Sequence, residues 1–234
     1  MLRFRRYWLL LAALLLTACG GGGGGDATSA TPSVTSTDAR AAWRSLLSAT
    51  RVFSASGTGS DNANYQIAIT AQPVGATTIN STQVQQIDFS TILNRNSASY
   101  GSSSFDLFIL NGTGIAYAYR EANGDCSLFS AASEPQATPA VIGQSGTLYS
   151  GTVAVGCSTI NGVPVVTSGT ITGTWSIQSE GAVTFFCVDS KRQEFVTTNQ
   201  ISCVEVSNAA GALATRVRIS LVEDGVTTLV LRNY

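Results

Sequence analysis

Ser168-Gly169-Thr170-Ile171-Thr172-Gly173-Thr174-Trp175-Ser176-Ile177 is the stretch whose reading decides the fold. Ile171, Trp175 and Ile177 fall on one side of an extended chain. Ser168, Thr170, Thr172, Thr174 and Ser176 fall on the other. Period two with a polar, β-branched face is the pattern of an antiparallel strand that rests on a core and faces water. Gly169 and Gly173 interrupt the apolar side and leave room there for large neighbours.

The same alternation recurs along most of the chain. Tyr65, Ile67, Ile69 and Ala71 share one face, with Asn64, Gln66, Thr70 and Gln72 opposite. Phe105, Leu107 and Ile109 repeat the pattern, and so do Ile115, Tyr117 and Tyr119. Asn123-Gly124-Asp125 and Asn161-Gly162 carry turn chemistry between such runs. Spacing of this kind predicts a mainly β fold, an antiparallel sandwich or barrel of about ten to twelve strands. Ser133 to Ser145, with Pro135 and Pro139, reads as the longest loop.

The C-terminal hairpin can be read more finely. A two-residue turn at Asp224-Gly225 would set Ile219 opposite Val230 and Val217 opposite Arg232. A three-residue loop, Glu223-Asp224-Gly225, sets Ile219 opposite Leu229 and Val217 opposite Leu231. That register matches apolar with apolar, so a type I turn with a glycine bulge is expected.

One short N-terminal helix precedes the strands. Ala39, Ala42, Trp43, Leu46, Leu47 and Thr50 follow helical spacing, with Arg40, Arg44 and Ser48 off that stripe. Thr37 can cap it and Asp38 suits its positive N-terminus. The apolar stripe, with Trp43 its largest member, is expected to lie on the sheet.

The first residues have another logic. Arg3, Arg5 and Arg6 precede the apolar run Leu9 to Leu16, and a small-residue zone follows. This is the architecture of a signal peptide, too short to span a bilayer. The ending Leu16-Thr17-Ala18-Cys19 resembles the lipobox of bacterial lipoproteins. That resemblance implies cleavage before Cys19, so that residues 1–18 are lost and Cys19 becomes the acylated first residue. Gly20, rather than Asp, after the cysteine implies sorting to the outer membrane. The stretch 19–37 then reads as a Gly/Ser/Thr-rich flexible tether, and 38–234 as one β-rich globular domain. Gly20 to Gly25 lack a preceding strand and a Gly-Lys-Ser/Thr ending, so they do not read as a phosphate loop.

The whole chain of 234 residues has 13 basic and 14 acidic residues, for a formal net charge of −1. Losing residues 1–18 removes three arginines and no acid, which leaves a mature charge of −4. No basic surface exists for nucleic acid. Four cysteines remain beside Cys19, an even count that in an exported chain reads as two disulfides. Three connectivities are possible. Sequential pairing, Cys126–Cys157 and Cys187–Cys203, suits the strand–loop–strand unit each pair flanks. There is no histidine and no Cys-x-x-Cys, so no metal site or other cofactor is expected.

The search for catalysis is mostly negative. Absence of histidine removes Ser-His-Asp and Cys-His nucleophile systems. Lys191, the one lysine, sits in Asp189-Ser190-Lys191-Arg192, which reads as a solvated hairpin loop. Gly143-Gln144-Ser145-Gly146 lacks the fifth residue and the strand-to-helix context of a nucleophile elbow. Asp106, Asp125, Glu180 and Glu205 are scattered, and nothing in their spacing pairs them for glycoside hydrolysis. Asp61-Asn62-Ala63-Asn64 reads as a turn rather than a calcium loop. Tyr234 resembles the aromatic end of outer-membrane barrel proteins, but Arg232 would then face lipid.

These observations lead to one expectation and one alternative. The expectation is an outer-membrane-anchored lipoprotein, not an enzyme, with a structural or binding role in the bacterial envelope. Its domain would face the periplasm or the cell surface, with the membrane as partner through the N-terminal lipid. A protein or apolar-ligand partner stays open. The alternative is a carrier of a lipid or other apolar ligand in a curved antiparallel sheet, with its cavity beneath the helix.

Overall fold

The computed structural model describes residues 32, 34–157, 160, 166–194 and 196–234. The chain enters through β1 (Ser36–Thr37) and α1 (Ala39–Ser48). It continues through β2 (Arg51–Thr58), β3 (Asn64–Ile79), β4 (Thr82–Arg95), β5 (Ala98–Leu110), β6 (Ala116–Glu121) and β7 (Cys126–Ala132). After β8 (Ala140–Val141) come β9 (Ser145–Ala154), β10 (Thr167–Glu180), β11 (Val183–Gln193), β12 (Thr197–Val206), β13 (Leu213–Glu223) and β14 (Val226–Arg232). β1 pairs with β8, and the other twelve strands close into one barrel. Of the sandwich and the barrel, the fold is the barrel.

Sequence neighbours pair throughout the barrel, apart from the joins of β7 to β9 and β14 to β2. The last of these is a narrow seam, with Arg232 opposite Ser56. Gly57 permits the approach there, since a Cβ on it would sit 2.8 Å from the Val230 carbonyl oxygen. Because successive strands alternate in direction, the turns sort into two ends. Turns 80–81, 111–115, 181–182 and 207–212 lie at one end with α1. Turns 59–63, 96–97, 122–125, 194–196 and 224–225 lie at the other.

Alternation within the strands sends the apolar set inward. Ile171, Trp175 and Ile177 are buried in the interior, while Thr170 and Thr174 stand outward in water. The room left by Gly173 is filled by the Tyr149 ring, which a Cβ would strike. Eight strands make a barrel that side chains alone can fill, and twelve make a wider one. α1 fills the excess width at its end. Its Ala39, Ala42, Trp43, Leu46 and Leu47 join Ile87, Leu107, Leu148, Trp175, Ile177 and Phe186 in one buried cluster. A second cluster, around Ile67, Ile69, Val217, Ile219, Leu229 and Leu231, fills the space between β2–β3 and β13–β14.

The helix differs from expectation at both ends. Asp38, not Thr37, is the cap, and its carboxylate accepts from the Ala41 amide at 2.9 Å. The Thr37 hydroxyl instead donates to the Asn208 carbonyl at 3.1 Å. The helix stops at Ser48, before Thr50, because the Arg51 guanidinium takes the Ser45 carbonyl (2.9 Å) as β2 begins. Residues at the expected end of the tether are also fixed. Ser36 and Thr37 pair with Val141 and Ala140, and the Thr184 hydroxyl donates to the Val34 carbonyl. Cys19 and the lipobox, most of the tether, and the Asn161-Gly162 turn lie outside the described residues.

Two strand readings are corrected. In the C-terminal hairpin the turn is the two-residue Asp224-Gly225, both at positive φ, and Glu223 faces Val226. An extra residue at Thr228 then shifts the register, so Ile219 faces Leu231 and Leu221 faces Leu229. Apolar still meets apolar, but a bulge in β14 achieves it rather than a longer turn; the Thr228 hydroxyl donates to the Leu221 carbonyl at 3.1 Å. A second bulge, at Tyr117, breaks the expected alternation of Ile115, Tyr117 and Tyr119. Tyr119 points into the interior, while Tyr117 packs outside with Val84, Phe108 and Ala118.

Candidate functional site

The end opposite α1 gathers most of the chemistry of the barrel. Asp189-Ser190-Lys191-Arg192 is not a hairpin loop: β11 runs on through Gln193 and its alternation continues. Ser190 and Arg192 therefore face the interior, and Asp189 and Lys191 face outward. The hairpin at Asn123-Gly124-Asp125, with Gly124 at φ 91° and the Asp125 amide donating to Asn123 Oδ1 (2.9 Å), brings β6 and β7 to the same rim.

Arg192 is the hub of this mouth. Its guanidinium bonds Glu121, Asp125 (2.8 Å) and Glu194 (2.8 Å). One cation thus serves three carboxylates, and the group carries a net charge of −2. Burial opposes the charge on Arg192, but Glu121 and its companions outweigh it and raise the pKa well above the ordinary guanidinium value. Burial pushes the Glu194 carboxyl up, and hydrogen bonding first from Ser168 and then from Arg192, with the Arg192 charge, brings it below its usual value.

Beneath this rim lies a layer of hydroxyls and rings. The Tyr119 hydroxyl donates to Glu121, and burial followed by the Glu121 charge pushes its pKa far up, so it stays protonated. Tyr149 and Ser190 hydroxyls meet at 3.2 Å. Phe89 and Phe105 stack at 4.9 Å, and Phe105 lies 5.3 Å from Tyr119. Phe53, Phe89 and Phe105 line the interior yet are only half-buried. Just outside the rim, where β5 runs on past the last residue of β6, an open depression of about 310 Å³ is lined by Phe105, Asp106, Arg120 and Glu121.

The carboxylates singled out in the sequence are held apart. Asp106 takes Arg120 (2.9 Å), and Asp125 takes Arg192. Glu180 takes Arg218 (3.0 Å) and Arg232 (2.9 Å), while Glu205 lies 3.9 Å from Arg216. A pairing that the spacing did not suggest is Asp88, which stands directly opposite Asp106. Burial first, and then Asp106, pushes the Asp88 carboxyl up. Lys191 is exposed on the outer face near the mouth, whereas Ser145 starts β9 at the α1 end, so they share no site. Gly143 is a turn residue at φ 90° leading into a strand. Asp61 accepts from the Ala63 amide, the Tyr65 hydroxyl and Arg95, as a turn residue does. Among the described residues no group of three or more His, Cys, Asp or Glu is placed to hold a metal ion.

Cys126 is bonded to Cys157 and Cys187 to Cys203. The first bond ties the mouth hairpin to the end of β9. The second links directly opposed residues of β11 and β12 on the outer face, beside Phe185, which the Arg218 guanidinium and the Tyr234 ring cover. Arg192, Glu121 and Glu194 were not singled out from the sequence. The alternation of Phe186, Val188, Ser190 and Arg192 was the available signal for the first of them. No protein-family model, curated protein or solved structure matches this chain.

Proposed function

We propose that the protein is a lipoprotein held at the bacterial outer membrane through Cys19, and that its barrel is a non-enzymatic structural or binding module there. One observation carries the anchoring. Of the five cysteines, four are consumed in two disulfides within the barrel, which leaves Cys19 without a cysteine of this chain to pair with. It stands where the lipobox resemblance puts the acylated residue. Two acyl chains or more make a durable anchor, where one binds only marginally. The non-enzymatic reading draws support from Asp106, Asp125, Glu180 and Glu205, each of which lies beside an arginine rather than beside another of the four. Globomycin-type inhibition of lipoprotein signal cleavage, followed by fractionation, tests the anchor: the precursor must accumulate with residues 1–18 attached. Unchanged processing contradicts it.

A second reading, the carrier of a lipid or other apolar ligand, is favoured by the half-buried Phe53, Phe89 and Phe105 of the interior. The space beneath the helix, where the carrier reading expects its cavity, is filled by Trp43, Trp175 and their neighbours, which counts against that form of the reading and leaves only entry from the mouth. Titration with a fluorescent fatty acid separates the readings: saturable binding weakened by Phe105→Asp supports the carrier, and no binding removes it.

A further inference from the structure

We infer that the free edge of β5 at the mouth is a docking site for an extended, basic segment of a partner protein. The segment adds a strand there and seats a lysine or arginine side chain in the depression at the foot of the edge. The site lies outside the barrel interior, and it stands whether or not Cys19 carries lipid.

The edge comes from unequal strand lengths. β5 has 13 residues and β6 has six, and β6 pairs only with Phe105–Ile109. Ala98–Ser104 pair with β4 on one side, and no described strand meets them on the other. The Ala122 amide, 3.2 Å from the Ser104 carbonyl, makes the last backbone contact there among the described residues. Backbone groups alternate in direction along a strand, so the Ser102 amide and carbonyl point the same way, into the gap. Ser102, Ser103 and Ser104 are exposed, and a Cβ on Gly101 would meet nothing within 4 Å. A bulge at Tyr100 limits the regular edge to Gly101–Ser104. Ala98–Ser104 contains neither the lysine nor the proline that protects an edge strand from pairing. Such an edge takes an extended segment by main-chain hydrogen bonds, and an adjoining pocket selects among side chains.

The depression supplies that selection. It offers about 310 Å³ at the foot of the edge, between Ser104, Phe105, Asp106, Arg120 and Glu121. Asp106 is paired with Arg120, but Asp88 stands directly opposite Asp106 and takes a hydrogen bond from Gln86 (2.9 Å) instead of an ion pair. Glu121 shares Arg192 with Asp125 and Glu194. Asp88, Asp106, Glu121, Asp125 and Glu194 thus face Arg120 and Arg192 alone, five charges against two, for a net −3. Lys191 is four strands away around the wall, about 19 Å, beyond a Debye length of about 8 Å. A cationic side chain is therefore the complement. A second copy of this chain does not supply it, because its own Ala98–Ser104 carries no cation.

Equilibrium dialysis of the purified full-length protein against a tritium-acetylated Lys-Thr-Val-Thr-Val-Thr amide tests the site. The expected result is saturable binding of one peptide per chain. Glutamate in place of the peptide lysine must weaken binding about tenfold or more. N-methylation of one alternate set of peptide amides must abolish binding, and N-methylation of the other set must leave it intact. Ser102→Pro, which removes an amide directed away from β4, must abolish binding in a protein that still unfolds cooperatively. Asp88→Asn, which removes a charge and no ion pair, must weaken binding about threefold. Equal binding of the lysine and glutamate peptides overturns the basic partner, and indifference to both methylation patterns overturns strand addition. Absence of saturable binding, or a dimer of the chain that Ser102→Pro dissociates, overturns the docking site itself.

Discussion

The two ends of this barrel are closed by different chemistry. At one end α1 inserts an apolar stripe, and Trp43 donates to the Gly114 carbonyl at 2.7 Å within a buried setting. Glu134 secures the arrangement by accepting from Arg44 and from the Gly114 amide (3.0 Å). At the other end a single guanidinium holds three carboxylates over half-buried rings. Apolar burial draws its stability from area removed from water, and it is insensitive to pH. The charged mouth depends on one residue and on carboxylate ionisation. A twelve-stranded barrel can therefore be sealed firmly on one side and kept polar on the other.

Substitution of the plug gives the largest expected effect. Trp43→Ala is expected to cost about 3–5 kcal/mol in denaturant unfolding, because it leaves a cavity under α1 and frees a buried carbonyl. A loss below about 1 kcal/mol would show that the helix is an accessory and not the plug. Replacing the outer disulfide with Cys187→Ala and Cys203→Ala closes no 16-residue loop, and is expected to cost ~3 kcal/mol. It must leave the ionic mouth unchanged.

Arg192→Met tests the other end. Three carboxylates lose their shared cation, at about 2 kcal/mol near pH 7, a value reduced for partial exposure. The sign with pH is fixed by Glu194, whose folded pKa lies below its ordinary value. Its contribution is present above that ordinary value and is lost as pH falls through the lowered one. The difference between wild type and variant must therefore shrink on acidification, whereas the Trp43→Ala difference must not. The smallest effect belongs to Asp88→Asn. Asp88 has a raised folded pKa, so its charged form opposes folding above that pKa. The substitution is expected to stabilise by about 0.5 kcal/mol at neutral pH, with the gain vanishing in acid.

Legibility in the sequence followed the same division. The stripe Ala39, Ala42, Trp43, Leu46 and Leu47 and the alternation around Trp175 are local periodicities, and the elements they imply are present. Bulges were not legible, because one extra residue at Tyr117 or Thr228 is chosen by the partner strand and not by its own neighbours. The mouth was least legible of all. Arg192 meets Glu121 and Asp125 across 71 and 67 residues, and no spacing announces such a contact before the barrel closes. Reading Asp189-Ser190-Lys191-Arg192 as a loop followed from its hydrophilicity, although an inward charge is permitted wherever a barrel end supplies partners.

The central claim is that this barrel hangs from a lipid at Cys19, and intact mass spectrometry of the mature N-terminus tests it most directly. The account predicts loss of residues 1–18 and a Cys19 that carries diacylglycerol and an N-acyl chain. An unmodified Cys19, or cleavage at another bond, would contradict it.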